Sequence, residues 1–203
     1  MTTPRLLRTP PTVIVLAAGL GRRFAASGGT DHKLAALLGG TPVLQHVLQA
    51  VTAAGLPCHV VHPLTPDSHT LGMGDSIARG VAATADAAGW LILPGDLPLI
   101  QPDSLLQVAD ALATHPVVVP FWQQQHGHPV GFDPSCRPAL TALCGDTGAA
   151  SIVRAHRQAG LVRALALGDP GIVMDIDTQD DLTRAEARLA DIRSHQEPHH
   201  GSR

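Results

Sequence analysis

Two arginines, a lysine and three carboxylates in this chain could handle phosphate. Gly19-Leu20-Gly21 follows the apolar run Val13 to Leu16 and leads into Arg22, Arg23 and, further on, Lys33. Small residues at Ala17, Ala18, Gly19 and Gly21 let backbone N–H groups approach a ligand closely. Guanidinium and ammonium groups behind such a turn complement phosphate oxygens. The stretch therefore reads as a seat for a phosphorylated ligand, with a plain strand-to-helix turn as the alternative. Asp96 stands in Pro94-Gly95-Asp96-Leu97-Pro98, directly after the apolar run Trp90 to Leu93. A carboxylate just past a buried strand is well placed to hold Mg²⁺ on phosphates; a turn or helix cap is the competing role. Asp175 and Asp177 lie two apart and share one face if their segment is extended.

Several familiar chemistries are excluded. Gly19-Leu20-Gly21 begins a GxGxxG pattern, but its sixth position is Phe24 and no acidic residue closes a second strand about twenty residues on. GxxxxGK[ST], CxxC, HExxH and GxSxG patterns are all missing. The apolar fraction is 44% with 15% charged residues, which argues against extended disorder. A net charge of −3 argues against a general nucleic-acid or membrane-surface binder. Cys58, Cys136 and Cys144 are odd in number and unpaired in spacing, as suits a reducing compartment. Met1 to Pro11 has no continuous apolar segment of signal-peptide type, so a cytoplasmic location is expected.

The elements that must position these residues alternate. Strands are expected at Val13 to Leu16, Cys58 to His62, Trp90 to Leu93 and Val117 to Phe121, with a fifth fed by the Gly127 to Phe132 turn. Late strands are expected at Leu161 to Leu167 and Gly171 to Ile176. Thr41-Pro42 reads as a cap and first-turn proline for a helix through Val51, which Gly55-Leu56-Pro57 stops. Thr65 to Gly74 reads as loop. Further helices are expected at Asp75 to Ala88, from Pro102, at Pro134 to Leu143, at Thr147 to Ala159, and from Thr178 through Ile192. Thr178 and Asp181 have capping-box spacing. Alternation of this kind predicts one α/β domain, a mostly parallel sheet covered on both faces, over residues 12–192. Residues 1–11 are an extension and 193–203 a polar tail, whose His199 and His200 read as solvated. Ligands of such sheets sit at the carboxyl ends of the strands, where Gly19, Asp96 and Asp177 would meet.

Taken in order, LAAGLGRRF (Leu16 to Phe24), Lys33, PGDLP, GHPVGF and DIDTQDDL (Asp175 to Leu182) resemble the MobA-like NTP transferase family. The nearest branch is that of the molybdenum cofactor cytidylyltransferases. The resemblance implies a single three-layer α/β/α, Rossmann-like domain of nucleotide-diphospho-sugar transferase type. It implies that the loop with Leu16, Ala17, Ala18, Gly19 and Gly21 wraps a nucleoside triphosphate, with Arg23 and Lys33 as the signature cations. Asp96 and Asp177 would be the metal ligands, with Asp175 as the alternative to Asp177, for Mg²⁺ or Mn²⁺. Ser76 matches a serine near the nucleotide, or serves as a plain helix cap. His128 and Asp146 match acceptor-side positions, and an ordinary turn histidine is the other account of His128. Ala150 stands where the family has Arg, and Arg154 lies one turn on; Asp180 and Asp181 suit a helix cap. The implied substrates are CTP and a molybdopterin-type acceptor, with a molybdoenzyme or its chaperone as partner. A different base or acceptor, or a non-catalytic cofactor-insertion factor, are the alternatives. Ala18 distinguishes LAAG from the LAGG of the guanylyl branch.

Overall fold

A computed structural model describes residues 9–19, 21–29, 32–63 and 72–196. The apolar runs become the middle of a mixed, seven-stranded sheet. β1 (Thr12–Leu16) lies between the parallel strands β4 (Cys58–Val61) and β5 (Trp90–Pro94). β2 (Leu37–Leu38) and β3 (Thr41–Pro42) form a separate small hairpin. Beyond β5 comes β8 (Val130–Phe132), antiparallel to both β5 and β6 (Val117–Trp122). β9 (Val162–Ala166) runs parallel to β6, and β7 (Gln125–His126) folds back on the end of β6. Thus β4, β1, β5, β6 and β9 point one way, and their carboxyl ends share one edge.

Helices cover both faces because successive strand side chains alternate. Val13, Val15, Leu91 and Leu93 pack with Val47 and Val51 of α2 (Val43–Ala53) and Leu105 and Val108 of α4 (Pro102–Ala111). Ile14, Trp90 and Ile92 pack on the opposite face with Ile77 and Val81 of α3 (Met73–Ala83). Leu140 of α5 (Arg137–Thr141) and Ile152 of α6 (Ala150–Gln158) join that second cluster. A third cluster carries the functional edge. Phe24 of α1 (Arg22–Ala26), Leu34, Leu38 and Ile176 are buried there with Ala185 of α7 (Gln179–Gln196). Among the described residues no helix is long and apolar enough to cross a membrane.

Several expected elements are corrected. Gly171 to Ile176 is not a strand. Pro170–Val173 forms a 3₁₀ turn, with the Asp169 carboxylate accepting the Gly171 N–H at 2.8 Å. Asp177 therefore follows an irregular segment rather than a strand. Thr41 and Pro42 do not open α2 as cap and first residue. They pair with Leu38 and Leu37, which keeps Pro42 extended and starts the helix at Val43. α3 begins at Met73 because Asp75 reaches back to the Gly72 N–H at 3.0 Å, and it ends at Ala83 rather than Ala88. α6 begins at Ala150, not Thr147, since the preceding loop lies against α3. Pro134 to Leu143 divides into a 3₁₀ turn (Pro134–Cys136) and α5. α7 continues four residues past Ile192, to Gln196. Most of the loop expected at Thr65 to Gly74, together with His199 and His200, lies outside the described residues.

Candidate active site

The site is built where β1 and β5 end. The Gly95 N–H donates to the Leu16 carbonyl at 3.0 Å, tying the PGDLP turn to the start of the glycine loop. Leu16 and Ala18 are half-buried there, Ala17 is buried and Gly19 is exposed. Gly21 adopts φ +60, a backbone that side chains resist, and so lets the chain turn into α1. The chain then returns past His32. The Leu34 N–H donates to His32 Nδ1 at 3.3 Å, so Nε2 carries the ring proton and donates it to the Gly19 carbonyl at 2.6 Å. His32 thereby pins the next residue, Lys33, across the loop.

Lys33 brings the separated carboxylates together. Its Nζ donates to Asp96 Oδ2 at 2.6 Å and to Asp177 Oδ1 at 2.8 Å, and its side chain is 13% exposed. Arg23, on the exposed side, pairs with the other Asp177 oxygen. Burial works against the Lys33 ammonium, but attraction to Asp96 and hydrogen bonds to both carboxylates outweigh it and raise its pKa. Asp96 Oδ1 is buried and has no hydrogen-bond partner among the described residues.

Asp177 is held by the start of α7. Asp181 Oδ2 accepts the N–H groups of Asp177 at 3.1 Å and Thr178 at 2.7 Å, while Thr178 Oγ1 accepts the Asp181 N–H at 3.2 Å. This is the capping box expected at Thr178 and Asp181. Upstream, the Ile176 N–H donates to the Asp96 carbonyl at 2.9 Å, so the two carboxylate-bearing segments are tied by backbone as well. Asp175 is exposed. Partial desolvation, followed by the fields of Asp177, Asp96 and Asp181, raises its pKa.

The remaining candidates divide into two places. The His128 ring is largely enclosed and its Nδ1 has no partner among the described residues, while the His128 backbone N–H donates to the Ile172 carbonyl at 2.9 Å. Burial lowers its pKa against the opposing pull of Asp96 and the Ile92 carbonyl. Ser76 is no helix cap: it lies in the first turns of α3, buried, with its hydroxyl donated to the Gly72 carbonyl at 3.1 Å. Asp146 is exposed on the loop that packs over Gly72, where the Gly74 N–H bonds the Gly145 carbonyl at 2.8 Å. A Cβ on Gly72 would lie 2.0 Å from the Gly145 carbonyl, so glycine is required for this contact. Ser76 and Asp146 thus belong to one loop–helix junction, whereas Arg23, Lys33, Asp96 and Asp177 form the charged cluster. Ala150 and Arg154 are exposed on α6.

Sequence reading missed three features. His32 had no spacing signal. Ser27 Oγ accepts the Gln179 N–H at 3.0 Å and links the loop to α7. A cavity of about 450 Å³ opens beside Ala17, His32, Leu34, Leu44, Gln45 and His62, formed by residues from four separate segments.

The donor set fits a hard divalent cation. Asp96 and Asp177 offer only carboxylate oxygens, one of them enclosed and unused. Among the described residues there is no group of three or more His, Cys, Asp or Glu side chains able to hold a metal. Two carboxylates, with water and substrate phosphates filling the other positions, is the pattern magnesium-like ions favour.

Residues 13–160 match the family model of the MobA-like NTP transferase domain. The bifunctional protein GlmU of Xanthomonas oryzae is 33% identical over 130 residues, covering 54% of this chain and 28% of GlmU. The chain thus spans little more than a quarter of that relative's length. Rv0371c of Mycobacterium tuberculosis has the same fold, with 24% identity, a TM-score of 0.71, and coverage of 90% of this chain and 100% of that one. A second structure of Rv0371c, a complex with manganese, aligns at 24% identity and TM-score 0.67 over 88% and 98% of the two chains. The molybdopterin-guanine dinucleotide biosynthesis protein A of Archaeoglobus fulgidus aligns at 17% identity and TM-score 0.58, over 89% and 99%.

Proposed function

The chain belongs to the MobA-like NTP transferase family, and from that premise we propose that it moves CMP from CTP to the terminal phosphate of a molybdopterin-type acceptor, releasing pyrophosphate. The observation that carries this reading is Lys33 joining Asp96 and Asp177 at the edge of the glycine loop. That arrangement puts cations and cation ligands at one point, as phosphoryl chemistry requires.

In the proposed reaction an acceptor phosphate oxygen bonds to the α-phosphorus of CTP. The bond from that phosphorus to the α–β bridging oxygen breaks, and the electron pair leaves on pyrophosphate. The nucleophile is already an anion, so no strong general base is needed. The barrier lies in bringing anions together and in stabilising charge in line. Backbone N–H groups of the Ala17 to Gly21 loop orient the phosphates. Lys33 and Arg23 offset charge growing on the α-phosphoryl group and on the leaving pyrophosphate, each by about 3–4 kcal/mol if they act like other preorganised donors. Asp96 and Asp177 would hold Mg²⁺ or Mn²⁺, which supplies Lewis acidity and a template for the phosphates when bound. The manganese complex of Rv0371c supports a divalent cation in this fold.

Three observations support the finer assignment. A cavity beside Ala17 and His32 adjoins the loop that would hold the phosphates, and the nucleoside would sit there. The A. fulgidus neighbour, named for molybdopterin-guanine dinucleotide biosynthesis, supports a pterin phosphate as acceptor. Ala18, half-buried at the loop, stands where the guanylyl branch has glycine, and its methyl would narrow the space for a purine. The experiment is pyrophosphate release with Mg²⁺ and molybdenum-loaded pterin, comparing CTP, GTP, ATP and UTP. CTP-selective, pterin-dependent release is expected. Release with GTP alone overturns the base assignment, and tight pterin binding without release from any nucleotide overturns the enzyme.

A further inference from the structure

Lys33 is the sole lysine among 203 residues, against 13 arginines. Its ammonium takes one oxygen from each carboxylate, at 2.6 Å from Asp96 and 2.8 Å from Asp177. A magnesium-sized cation binds carboxylate oxygens at about 2.0–2.1 Å, so a cation on these same two oxygens would lie almost where Nζ lies. Like charges cannot share that position.

We propose that Lys33 and the divalent cation compete for the Asp96–Asp177 pair, so that cation entry frees the ammonium to turn toward the bound triphosphate. The proposal rests on Asp96 and Asp177 being the cation ligands. Lysine suits such an exchange: it is a point charge on a flexible stem, whereas a forked guanidinium would hold a carboxylate through two bonds. Asp96 Oδ1, buried and unused by Lys33, is a further carboxylate oxygen available to the cation once the ammonium has left. By linkage, a triphosphate that draws Lys33 away raises the protein's affinity for the cation, and the cation does the same for the triphosphate.

Because there is one lysine, amine-selective acylation read by peptide mass spectrometry reports Lys33 alone, apart from the separable N-terminal amine. The full chain is labelled without nucleotide, in Mn²⁺ or in KCl of matched ionic strength. Lys33 acylation is expected to quicken at least about fivefold in Mn²⁺, the low end of ordinary coupling between sites. Its midpoint should match Mn²⁺ binding followed by electron paramagnetic resonance. Lys33→Gln should bind free Mn²⁺ about tenfold more tightly than the wild type. Mn²⁺ bound with Lys33 acylation unchanged or slowed overturns the competition while leaving the ligand assignment standing. No Mn²⁺ binding to either protein overturns both. Neither readout depends on which nucleotide or acceptor is used.

Discussion

Asp96→Asn is the sharpest probe of the site, because it keeps size and shape and removes one charge. In the fold, Asp96 gives one oxygen to Lys33 at 2.6 Å and keeps the other enclosed without a partner. Lys33 retains Asp177 at 2.8 Å, so its ammonium is not stranded. The stability loss should therefore fall below the roughly 3–5 kcal/mol seen when a buried pair loses one member outright. About 1–2 kcal/mol is expected, or a melting temperature lower by roughly 3–6 °C for a chain of this length. Catalysis should suffer far more. Losing a cation ligand removes about 4 kcal/mol of transition-state stabilisation, close to a thousandfold in rate. Asp96→Ala should abolish transfer. The assay is pyrophosphate release at saturating nucleotide, run beside thermal melts of the same preparations. A well-folded Asp96→Asn protein with near-wild-type turnover refutes the cation site and the mechanism built on it.

Four other perturbations test separate parts. Gly72→Ala puts a Cβ 2.0 Å from the Gly145 carbonyl, so the Gly145-Asp146 loop must move, at a cost of about 1–3 kcal/mol. If that loop faces the acceptor, its KM rises while the KM for CTP stays close to wild type. His128 titrates below its ordinary pKa because it is buried, so the unfolded chain binds the proton more readily. Stability should fall as pH drops below about 6.5, by at most about 1.4 kcal/mol per unit, and His128→Gln should flatten that slope in melts between pH 7.5 and 5.5. Asp181→Ala removes the acceptor of the Asp177 and Thr178 N–H groups and should cost about 1 kcal/mol, with Asp181→Asn restoring most of it. Ala18→Gly should relax the preference for CTP over GTP, measured as the ratio of the two kcat/KM values.

Strands and turns whose signal is local were readable from the residues themselves. Val13 to Leu16 and Trp90 to Leu93 are buried on both faces, so unbroken apolar runs identify them, and the glycine loop and Asp96 follow directly. Gly171 to Ile176 carries the same kind of apolar signal and is not a strand. Pro170 and the Asp169 carboxylate fix a tight turn there, and a Cβ on Gly171 would lie 2.1 Å from the Leu99 carbonyl. Periodicity cannot register a cap supplied by a neighbouring side chain or a carbonyl from a distant segment. The Thr178–Asp181 box was legible for the opposite reason, since both partners lie within one turn.

The charged cluster shows where local reading stops. Lys33 and Asp177 are 144 residues apart, and no spacing rule joins them. Their meeting depends on two devices that act at a distance. Phe24, Leu34 and Leu38 bury the loop segment against Ile176 and Ala185, so the hydrophobic contact places the start of α7 beside β1. Ser27 and the Asp96 carbonyl then fix its register through the N–H groups of Gln179 and Ile176. Apolar packing alone would leave Asp177 free to shift by a residue, and its carboxylate would then miss Nζ. These two hydrogen bonds, donated by backbone N–H groups of the α7 segment, remove that freedom. The groups that bring α7 to the loop are therefore apolar side chains, a hydroxyl and a backbone carbonyl, and their roles become visible only once the chain is folded.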